Sequence, residues 1–339
     1  MQFLAEYGLF LAKTLTFVFA VAAVVAIVAS SRRQGSDDEH IEIEKLNDRY
    51  DEYKSLMQSA VYDEKQLKKI NKDKKKQEKQ DKKSSPDESD RRRVFVTEFD
   101  GDIKASDAEN LRKIITLILT QASEKDEVLI KLESSGGMVH SYGFAASQLA
   151  RISAKNIKLT ICVDKVAASG GYMMACVADK ILAAPFAIIG SIGVIAQLPN
   201  FHRVLEKANV DYEMHTAGEY KRTLTMLGEN TDKAREKFKE ELEDTHDLFK
   251  AFVKEHREVV DIDDVATGEI WFGKRALDKK LVDQLCSSDE YLLELSQDTD
   301  IYELSVQHKP SLVEKLGLHA SADKLFNRAA SMLSTRYFS

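Results

Sequence analysis

The feature that most constrains the fold is an alternation of short apolar runs with amphipathic helical patterns between residues 94 and 194. The runs at 94–99, 128–132 and 157–163 are rich in β-branched residues and too short to be helices. Apolar strands without polar alternation are buried on both faces, which is typical of a mainly parallel sheet covered by helices. The sequence therefore predicts an α/β fold with glycine-containing loops at strand ends, where such folds place ligands.

Later segments extend this pattern. Residues 181–198 are mostly apolar, but Pro185 and Gly190 interrupt them, so we expect two buried strands and a turn rather than a membrane span. Strands are also expected at 212–216 and, at an edge of the sheet, at 301–306. Helical periodicity predicts helices at 111–119, 139–152, 201–208, 232–258, 271–285 and 312–333.

A long apolar stretch near the amino terminus runs from residue 7 to residue 29 and contains one lysine, Lys13. About 20 apolar residues cross a bilayer, so this stretch predicts an uncleaved single-pass membrane anchor. A cleaved signal peptide is the alternative, but its basic leading segment is missing, since Glu6 precedes the stretch and Arg32 and Arg33 follow it. By charge alone, the two arginines against Lys13 would place the rest of the chain in the cytoplasm.

Residues 34–93 predict an amphipathic helix followed by a lysine-rich linker. Because the segment 64–93 cannot bury an apolar core, we expect a solvated, charged helical linker, with attraction to anionic lipid headgroups as the alternative. Apolar residues at spacings of four and three predict a preceding helix that packs on the main domain: Leu46, Tyr50, Tyr53, Met57 and Ala60. The predicted domains are an anchor (1–33), this linker region (34–93), a main domain (94–288) and a C-terminal extension (289–339).

Composition narrows the classes of function. A chain of 339 residues with 43% hydrophobic content is long enough for a large core, and its net charge of -7 makes no case for nucleic-acid binding. The three cysteines, Cys162, Cys176 and Cys286, lack a C-x-x-C spacing and lie in or beside apolar segments. We therefore expect core cysteines, with no disulfide framework and no metal site.

Ser169 is the candidate nucleophile, because it stands in Ala167-Ala168-Ser169-Gly170-Gly171, between the strand at 157–163 and a short helical pattern. A hydroxyl at such a junction lies near free helix N–H groups, which would stabilise an oxyanion formed beside it. The paired glycines let a substrate backbone approach closely. The alternative is that Ser169 only caps the helix, since serine is a preferred capping residue.

A serine nucleophile needs a general base, which is usually a histidine backed by a carboxylate. Four histidines lie in loops or helices without an accompanying motif: His140, His202, His246 and His256. A lysine replaces histidine where its amine is desolvated, because burial disfavours the charged form. Lys221, in a glycine-containing loop, is the candidate base, and a solvated surface lysine is the alternative.

Three motifs carry a resemblance to a known family. Ala168-Ser169-Gly170-Gly171-Tyr172, Gly190-Ser191-Ile192-Gly193-Val194 and Ala217-Gly218-Glu219-Tyr220-Lys221 match, in order and spacing, the signatures of the signal peptide peptidase A family of Ser/Lys peptidases. The apolar anchor and the charged region after it resemble the SohB-type branch of that family. The resemblance covers residues 94–285 at the level of motifs.

The resemblance implies a ClpP/crotonase-like fold of stacked ββα units, preceded by an N-terminal transmembrane helix and the charged helical linker. It implies that Ser169 is the nucleophile, that Lys221 is the general base and that the Ser191 hydroxyl orients the Lys221 amine. Neither a metal nor another cofactor is implied.

The resemblance also implies an oxyanion site. Gly170 would donate its backbone N–H to the oxyanion, with Gly136 or Gly137 as the second donor. Where the family commonly shows Asn-Ser-Pro-Gly-Gly, this chain has Glu133-Ser134-Ser135-Gly136-Gly137, so both glycines are present and the two preceding positions differ. Substrate preference near this loop is therefore less transferable from the family.

The function that the resemblance implies is that of a membrane-anchored serine endopeptidase. It would hydrolyse peptides, such as signal peptide remnants, through an acyl-enzyme at the bacterial inner membrane, with its catalytic domain in the periplasm and its subunits in a homo-oligomeric ring. That location is opposite to the one that Arg32 and Arg33 favour. Two alternatives are a crotonase-type acyl-CoA enzyme, which would need neither Ser169 nor Lys221, and a non-catalytic membrane scaffold of the same fold.

Overall fold

The computed structural model describes residues 8, 10, 13–19, 39–84 and 91–308. The chain divides into two compact units, one formed by Met1–Glu42 with Val306–Ser339 and the other by Ile43–Ser305. In the first unit, residues 13–19 are helical. The predicted anchor lies largely outside the described residues, and the predicted helix at 312–333 lies entirely outside them. No helix of the described segments is both long and apolar enough to cross a bilayer.

Helices and strands follow one another from β1 to β10 through the described residues after residue 38. The helices are α1 (Leu46–Val61), α2 (Glu64–Ser84), α3 (Ala108–Leu119), α4 (Val139–Ser153), α5 (Gly170–Ala175), α6 (His202–Lys207), α7 (Asp232–His256), α8 (Ile262–Val265), α9 (Gly273–Asp278) and α10 (Ser288–Leu295). The strands are β1 (Glu39–Lys45), β2 (Arg93–Gly101), β3 (Glu127–Ser134), β4 (Lys158–Val163), β5 (Val166–Ala168), β6 (Lys180–Ala183), β7 (Ile188–Gly190), β8 (Ile270–Phe272), β9 (Gln284–Leu285) and β10 (Asp300–His308).

One sheet of ten strands organises the described residues, with the main order β1-β10-β2-β3-β4-β6-β9. The pairs from β10 through β2, β3, β4 and β6 to β9 are all parallel. A side branch leaves the sheet at β3: β5 pairs in parallel with β3 and β7, and β7 pairs antiparallel with β8. The predicted mainly parallel α/β architecture is confirmed, and the branch carries the Ser169 turn.

Helices cover the central strands on both faces. On one face, Leu46 of α1 and Leu292 of α10 join a buried cluster with the strand residues Val94, Leu129 and Cys162. On the other face, α3 and α4 bury their apolar stripes, which include Leu111, Ile115, Leu149 and Ile152. Each fully buried Leu or Ile contributes about 1.5–3 kcal/mol through the apolar surface that it removes from water. All three cysteines are free and buried, as expected.

The carboxyl-terminal strand is not at the edge where the sequence placed it. Strand β10 lies between β1 and β2, so the expectation of an edge strand at 301–306 is wrong. The outer position belongs to β1, which the sequence reading missed, although Ile41 and Ile43 alternate there with polar residues. A short alternating run beside a charged segment is a weak strand signal, because its partner lies far away in the sequence.

One further expectation is right only in part, and another is wrong. The helix predicted from Leu46 is present, but only its beginning packs on the core: Leu46 is buried, whereas Tyr53 is 59% exposed and Met57 is 66% exposed. Residues 212–216 form no strand; they are exposed, and no neighbouring strand pairs with them. A segment of residues that favour strands does not form one when no neighbouring strand pairs with its backbone N–H and C=O groups.

Candidate active site

Ser169 follows the last residue of β5 and precedes the first residue of α5. Its φ of 53° lies in the left-handed region, which costs a non-glycine residue about 1–3 kcal/mol of strain. Its backbone N–H donates to the Gly190 carbonyl over 2.8 Å, and its carbonyl accepts from the N–H of Met173 over 3.0 Å. The side chain makes no capping hydrogen bond, so the half-buried hydroxyl is not occupied in the way that the capping alternative requires.

The loop after β3 lies directly against Ser169. Gly136 has a φ of +88°, and a Cβ built on it would lie 2.6 Å from the Gly170 nitrogen and 2.7 Å from the Ser169 Cβ. Only glycine fits such a backbone conformation and such a close approach. The structure therefore brings Ser169, Gly170 and Gly136 together.

The two glycine amides of this loop differ in their partners. The N–H of Gly136 donates to the Ser134 hydroxyl over 3.0 Å. The next residue, Gly137, is pressed against the Ile103 backbone, where a built Cβ would lie 2.1 Å from the carbonyl oxygen. Its own N–H has no hydrogen-bond partner in the part of the chain that the structure describes. Of the two amides, the one left available to a ligand is therefore that of Gly137.

Ser191 stands one residue beyond β7, as Ser169 stands one residue beyond β5. The two strands are paired in parallel with Ala168 opposite Gly190, so the two serines leave the same end of neighbouring strands. Ser191 also has a left-handed φ, 52°, and its N–H donates to the Glu269 carbonyl over 2.6 Å. The β5–β7 pairing therefore places the predicted orienting hydroxyl beside the predicted nucleophile's turn.

Lys221 is not brought to this group within one chain. It lies in an irregular loop, its side chain is exposed, and its backbone N–H donates to the Gly218 carbonyl over 3.2 Å. Among the hydrogen bonds of the described residues, none joins the Lys221 amine to Ser169 or Ser191. A single copy of the chain thus leaves this amine in solvent.

The surroundings of Lys221 share this exposure. Every residue from 193 to 248, which we call the exposed segment, is at least partly accessible to solvent. Several large apolar side chains lie open within it: Ile195, Val204, Val210, Tyr212, Met214 and Tyr220. A continuous stretch of this length with so much open apolar surface is typical of a segment that packs against another protein surface.

Among the described residues, two of the histidines considered as bases have partners on their own helices. His202 lies 3.6 Å from Glu206, and His256 Nδ1 lies 2.9 Å from the Phe252 carbonyl on its own helix. Burial raises the pKa of the Cys176 thiol to about 12, so this cysteine stays protonated. Within the described ranges, no three His, Cys, Asp or Glu residues are grouped so that they could hold a metal ion.

Tyr142 is a residue of this site that the sequence reading missed. It lies on α4, is fully buried, and contacts both the Ser134 hydroxyl and the backbone of Gly170. The local signal was an aromatic residue five positions after Gly137, near the start of a helix. Such a residue is indistinguishable from an ordinary core residue until the loops around it are placed.

Comparisons of the chain with protein-family models and with known proteins identify the same class of protein. The model described as Peptidase family S49 N-terminal matches residues 2–149, and the model described as Peptidase family S49 matches residues 151–302. The chain is 47% identical over 343 residues to "Probable protease SohB" of Haemophilus influenzae, with 98% of this chain and 97% of that protein covered. It is 46% identical over 316 residues to the "Probable protease SohB" of Buchnera aphidicola subsp. Acyrthosiphon pisum, with 93% of each covered.

Among solved structures, a membrane-bound stomatin-specific protease in complex with a substrate peptide is 15% identical to this chain. The match covers 69% of this chain and 99% of that chain, with a TM-score of 0.43. The family models and the curated relatives define a protease. The chain belongs to peptidase family S49. The resemblance to the signal peptide peptidase A family and its SohB-type branch is confirmed.

Proposed function

We propose that this protease is a serine endopeptidase with a Ser/Lys dyad, in which Ser169 attacks the scissile carbonyl and Lys221 is the general base. The observation that carries the proposal is the environment of Ser169. Its hydroxyl makes no capping hydrogen bond, its backbone is held at a strained φ, and glycine amides lie against it. Strained backbone held by its surroundings is common at catalytic residues.

The proposed reaction passes through an acyl-enzyme. Ser169 Oγ bonds to the carbonyl carbon while its proton passes to Lys221 Nζ, and the carbonyl electrons move onto the oxygen. The backbone N–H groups of Gly170 and Gly137 donate to that oxyanion, since the Gly136 amide already donates to Ser134. Collapse expels the amine, which takes the proton from Lys221 and leaves an acyl-enzyme. Water then attacks the ester, again with Lys221 as base, and releases the peptide acid and Ser169.

We place the dyad between two copies of the chain. Lys221 is exposed in one copy, within an exposed segment rich in open apolar side chains. Packing that segment on a neighbouring copy would bury its apolar surface and desolvate the amine at the same time. Repeated around a closed symmetry axis, this contact gives a homo-oligomeric ring in which Ser191 orients a lysine from the adjacent subunit.

Mixing two inactive variants tests this proposal. Ser169→Ala and Lys221→Ala each abolish cleavage of a fluorogenic peptide when expressed alone. When the two are co-expressed, a site with both groups forms wherever an intact serine meets an intact lysine from its neighbour, which is about a quarter of sites for random mixing in a ring. Cleavage at that level supports the shared dyad. No recovery in a mixed oligomer would contradict a shared dyad, and undiminished cleavage by either variant alone would contradict the dyad itself.

We also propose that the sheet and its branch form a ClpP/crotonase-like core of stacked ββα units, and that residues 7–29 anchor it in the bacterial inner membrane by a single pass. The apolar composition of 7–29 and the lysine-rich segment after it support the anchor. The substrates are then peptides held near the membrane, such as signal peptide remnants, and the catalytic domain lies in the periplasm. Resistance of the full chain to carbonate extraction, lost on deletion of 1–33, tests the anchor. Digestion of the catalytic domain by a protease added to spheroplasts tests the side.

A further inference from the structure

Tyr142 is a fully buried side chain that contacts two separate parts of the site. Its ring lies directly against Gly170: a Cβ built on Gly170 would lie 2.4 Å from the ring's Cγ atom. Phe99 of β2 packs edge-on against the same ring, with 6.5 Å between ring centroids. The ring is thus held between a core strand and the amide that follows Ser169.

The hydroxyl of Tyr142 reaches the other part of the site. It donates to the Asp102 carbonyl over 2.7 Å and lies 2.5 Å from the Ser134 hydroxyl oxygen. Because a carbonyl only accepts, the single Tyr142 hydroxyl proton is used at Asp102. The Ser134 hydroxyl has two acceptors within reach, the Tyr142 oxygen at 2.5 Å and the Gly101 carbonyl at 3.3 Å, and the shorter contact makes Ser134 the donor to Tyr142. Ser134 Oγ then accepts the N–H of Gly136 over 3.0 Å.

These contacts form one chain of hydrogen bonds that runs from the Gly136 N–H to Ser134, to Tyr142 and to the Asp102 carbonyl. All three hydrogen bonds of this series run in the same direction, from donor to acceptor, so each bond polarises and strengthens the next. The far side of the loop is fixed separately, since the Met138 N–H donates to the Ile103 carbonyl over 2.8 Å. The loop is therefore fastened at both ends to the turn after β2.

We propose that Tyr142 is a positioning residue for the proposed peptidase reaction. Its ring fixes the position of the Gly170 amide. Its hydroxyl, acting through Ser134, fixes the position of the loop that presents the Gly137 amide. One buried side chain thereby fixes the distance between the two amides on which oxyanion stabilisation depends. This inference rests on the proposed function of Ser169 and Gly170, and it adds a residue that touches neither the substrate nor the reacting atoms.

Three variants test the proposal kinetically. Tyr142→Phe removes the hydroxyl and keeps the ring, Ser134→Ala removes the link to the loop, and the double variant removes both. Tyr172→Phe is the matched control, because Tyr172 is also fully buried and its hydroxyl also donates to a backbone carbonyl, that of Leu281, over 3.0 Å. Deleting an oxyanion donor costs about 100-fold or more in kcat, so loosening one is expected to cost about tenfold.

The expected result is specific to positioning. Tyr142→Phe and Ser134→Ala each lower kcat about tenfold and weaken inhibition by a peptide aldehyde, whose adduct carries the oxyanion, by a similar factor. KM stays within about twofold, because ground-state binding does not use this contact. The double variant is no slower than either single variant, since both break the same chain. A loss no larger than that of Tyr172→Phe, or additive losses, would overturn the proposal.

Hydrogen exchange separates this proposal from the function on which it rests. In Tyr142→Phe the amides of residues 134–138 should exchange faster than in the full-length wild type or in Tyr172→Phe, whether or not the protein cleaves peptides. Unchanged exchange at the loop would overturn the positioning role even in an active enzyme. If the wild type shows no cleavage that depends on Ser169, the proposed function fails first, and the positioning role fails with it.

Discussion

The backbone N–H of Ser169 donates to the carbonyl oxygen of Gly190 over 2.8 Å, and Gly190 immediately precedes Ser191. This bond extends the parallel pairing of β5 with β7 by one residue, so the turn that carries Ser169 is fixed to the turn that carries Ser191. Any change that moves Gly190 is therefore transmitted to Ser169 without touching it.

Gly190→Ala should lower both stability and activity. Gly190 has a φ of +100°, and a Cβ there would lie 2.7 Å from the Trp271 ring, so strain and crowding together are expected to cost about 2 kcal/mol or more. Gly268→Ala is the control, because Gly268 has a φ of +80° with open space around it and should cost only about 1 kcal/mol. Urea denaturation and kcat measure the two effects. Equal losses for both variants would contradict the role of Trp271.

Gly136→Ala should abolish cleavage. A methyl group there meets the Gly170 nitrogen and the Ser169 Cβ in a backbone conformation that alanine disfavours, so the loop has to move away from the nucleophile. Gly143→Ala, in the interior of α4 with nothing within 4 Å, is the control and should stabilise the protein by about 0.5–1 kcal/mol. Thermal unfolding and peptide cleavage measured on the same samples separate the outcomes, and an active Gly136→Ala enzyme would contradict the close packing.

Lys221→Arg should be almost as inactive as Lys221→Ala. A guanidinium remains protonated in proteins and cannot accept the proton of Ser169, so kcat should fall by about 100-fold to 10,000-fold. The adjacent Arg222→Lys serves as the control, because it exchanges the same two side chains in the same exposed loop and should leave kcat unchanged. An enzyme with an arginine at position 221 and more than a tenth of normal activity would show that this residue is not the base.

Ile195→Lys should dissociate the assembly and reduce cleavage. Ile195 is 78% exposed in one chain and lies in the exposed segment, so a charge there would be buried in the proposed contact between copies. Leu293→Lys, at a 56% exposed leucine on α10 outside that segment, should change neither property. Sedimentation velocity in detergent reports the oligomeric state. A fully active monomer of Ile195→Lys would refute the shared site.

Acid should destabilise the protein partly through Asp126. Burial alone would raise the pKa of this carboxyl group, but hydrogen bonds from Arg93 and Ser123 outweigh burial and hold its pKa below the usual value. The carboxylate therefore adds stability at neutral pH, and this contribution is lost as the pH falls below about 4 and through the folded-state pKa. Asp126→Asn should be less stable at pH 7 and show a flatter dependence in acid, whereas Asp298→Asn, at an exposed position, should follow the wild type.

The local parts of the fold could be predicted from the sequence. Strands β2, β3 and β4 and helices α3 and α4 follow from apolar runs and helical periodicity, because each buries a face whose spacing is visible within one short window. The turn at Ser169 and the helix after it were visible for the same reason, but the short strand β5 directly before the turn was not predicted. A short window of sequence does not contain the partner of a strand. The position of β10 beside β2 and the existence of β1 were therefore missed.

The site was predictable in proportion to how local it is. Ser169, Gly170 and Gly136 lie together because β5 pairs with β3, and β5 was not predicted from the sequence. The role of Tyr142 depends on three loops that meet only in the folded chain, so no spacing in the sequence reports it. Lys221 differs again, because it is exposed in a single chain, and its place in the site rests on the proposed contact with a second copy.

Strand β10 flanks β2 in the sheet, although β10 begins at Asp300 and β2 at Arg93. During synthesis, the edge of β2 that pairs with β10 therefore stays unpaired until almost the entire described chain has left the ribosome. Contacts so distant in sequence form slowly, and an open strand is a template for aggregation. If translation stops before Asp300, the backbone groups on this side of β2 have no partner strand. Synthesis of the last part of the described chain therefore decides whether a nascent molecule folds or aggregates.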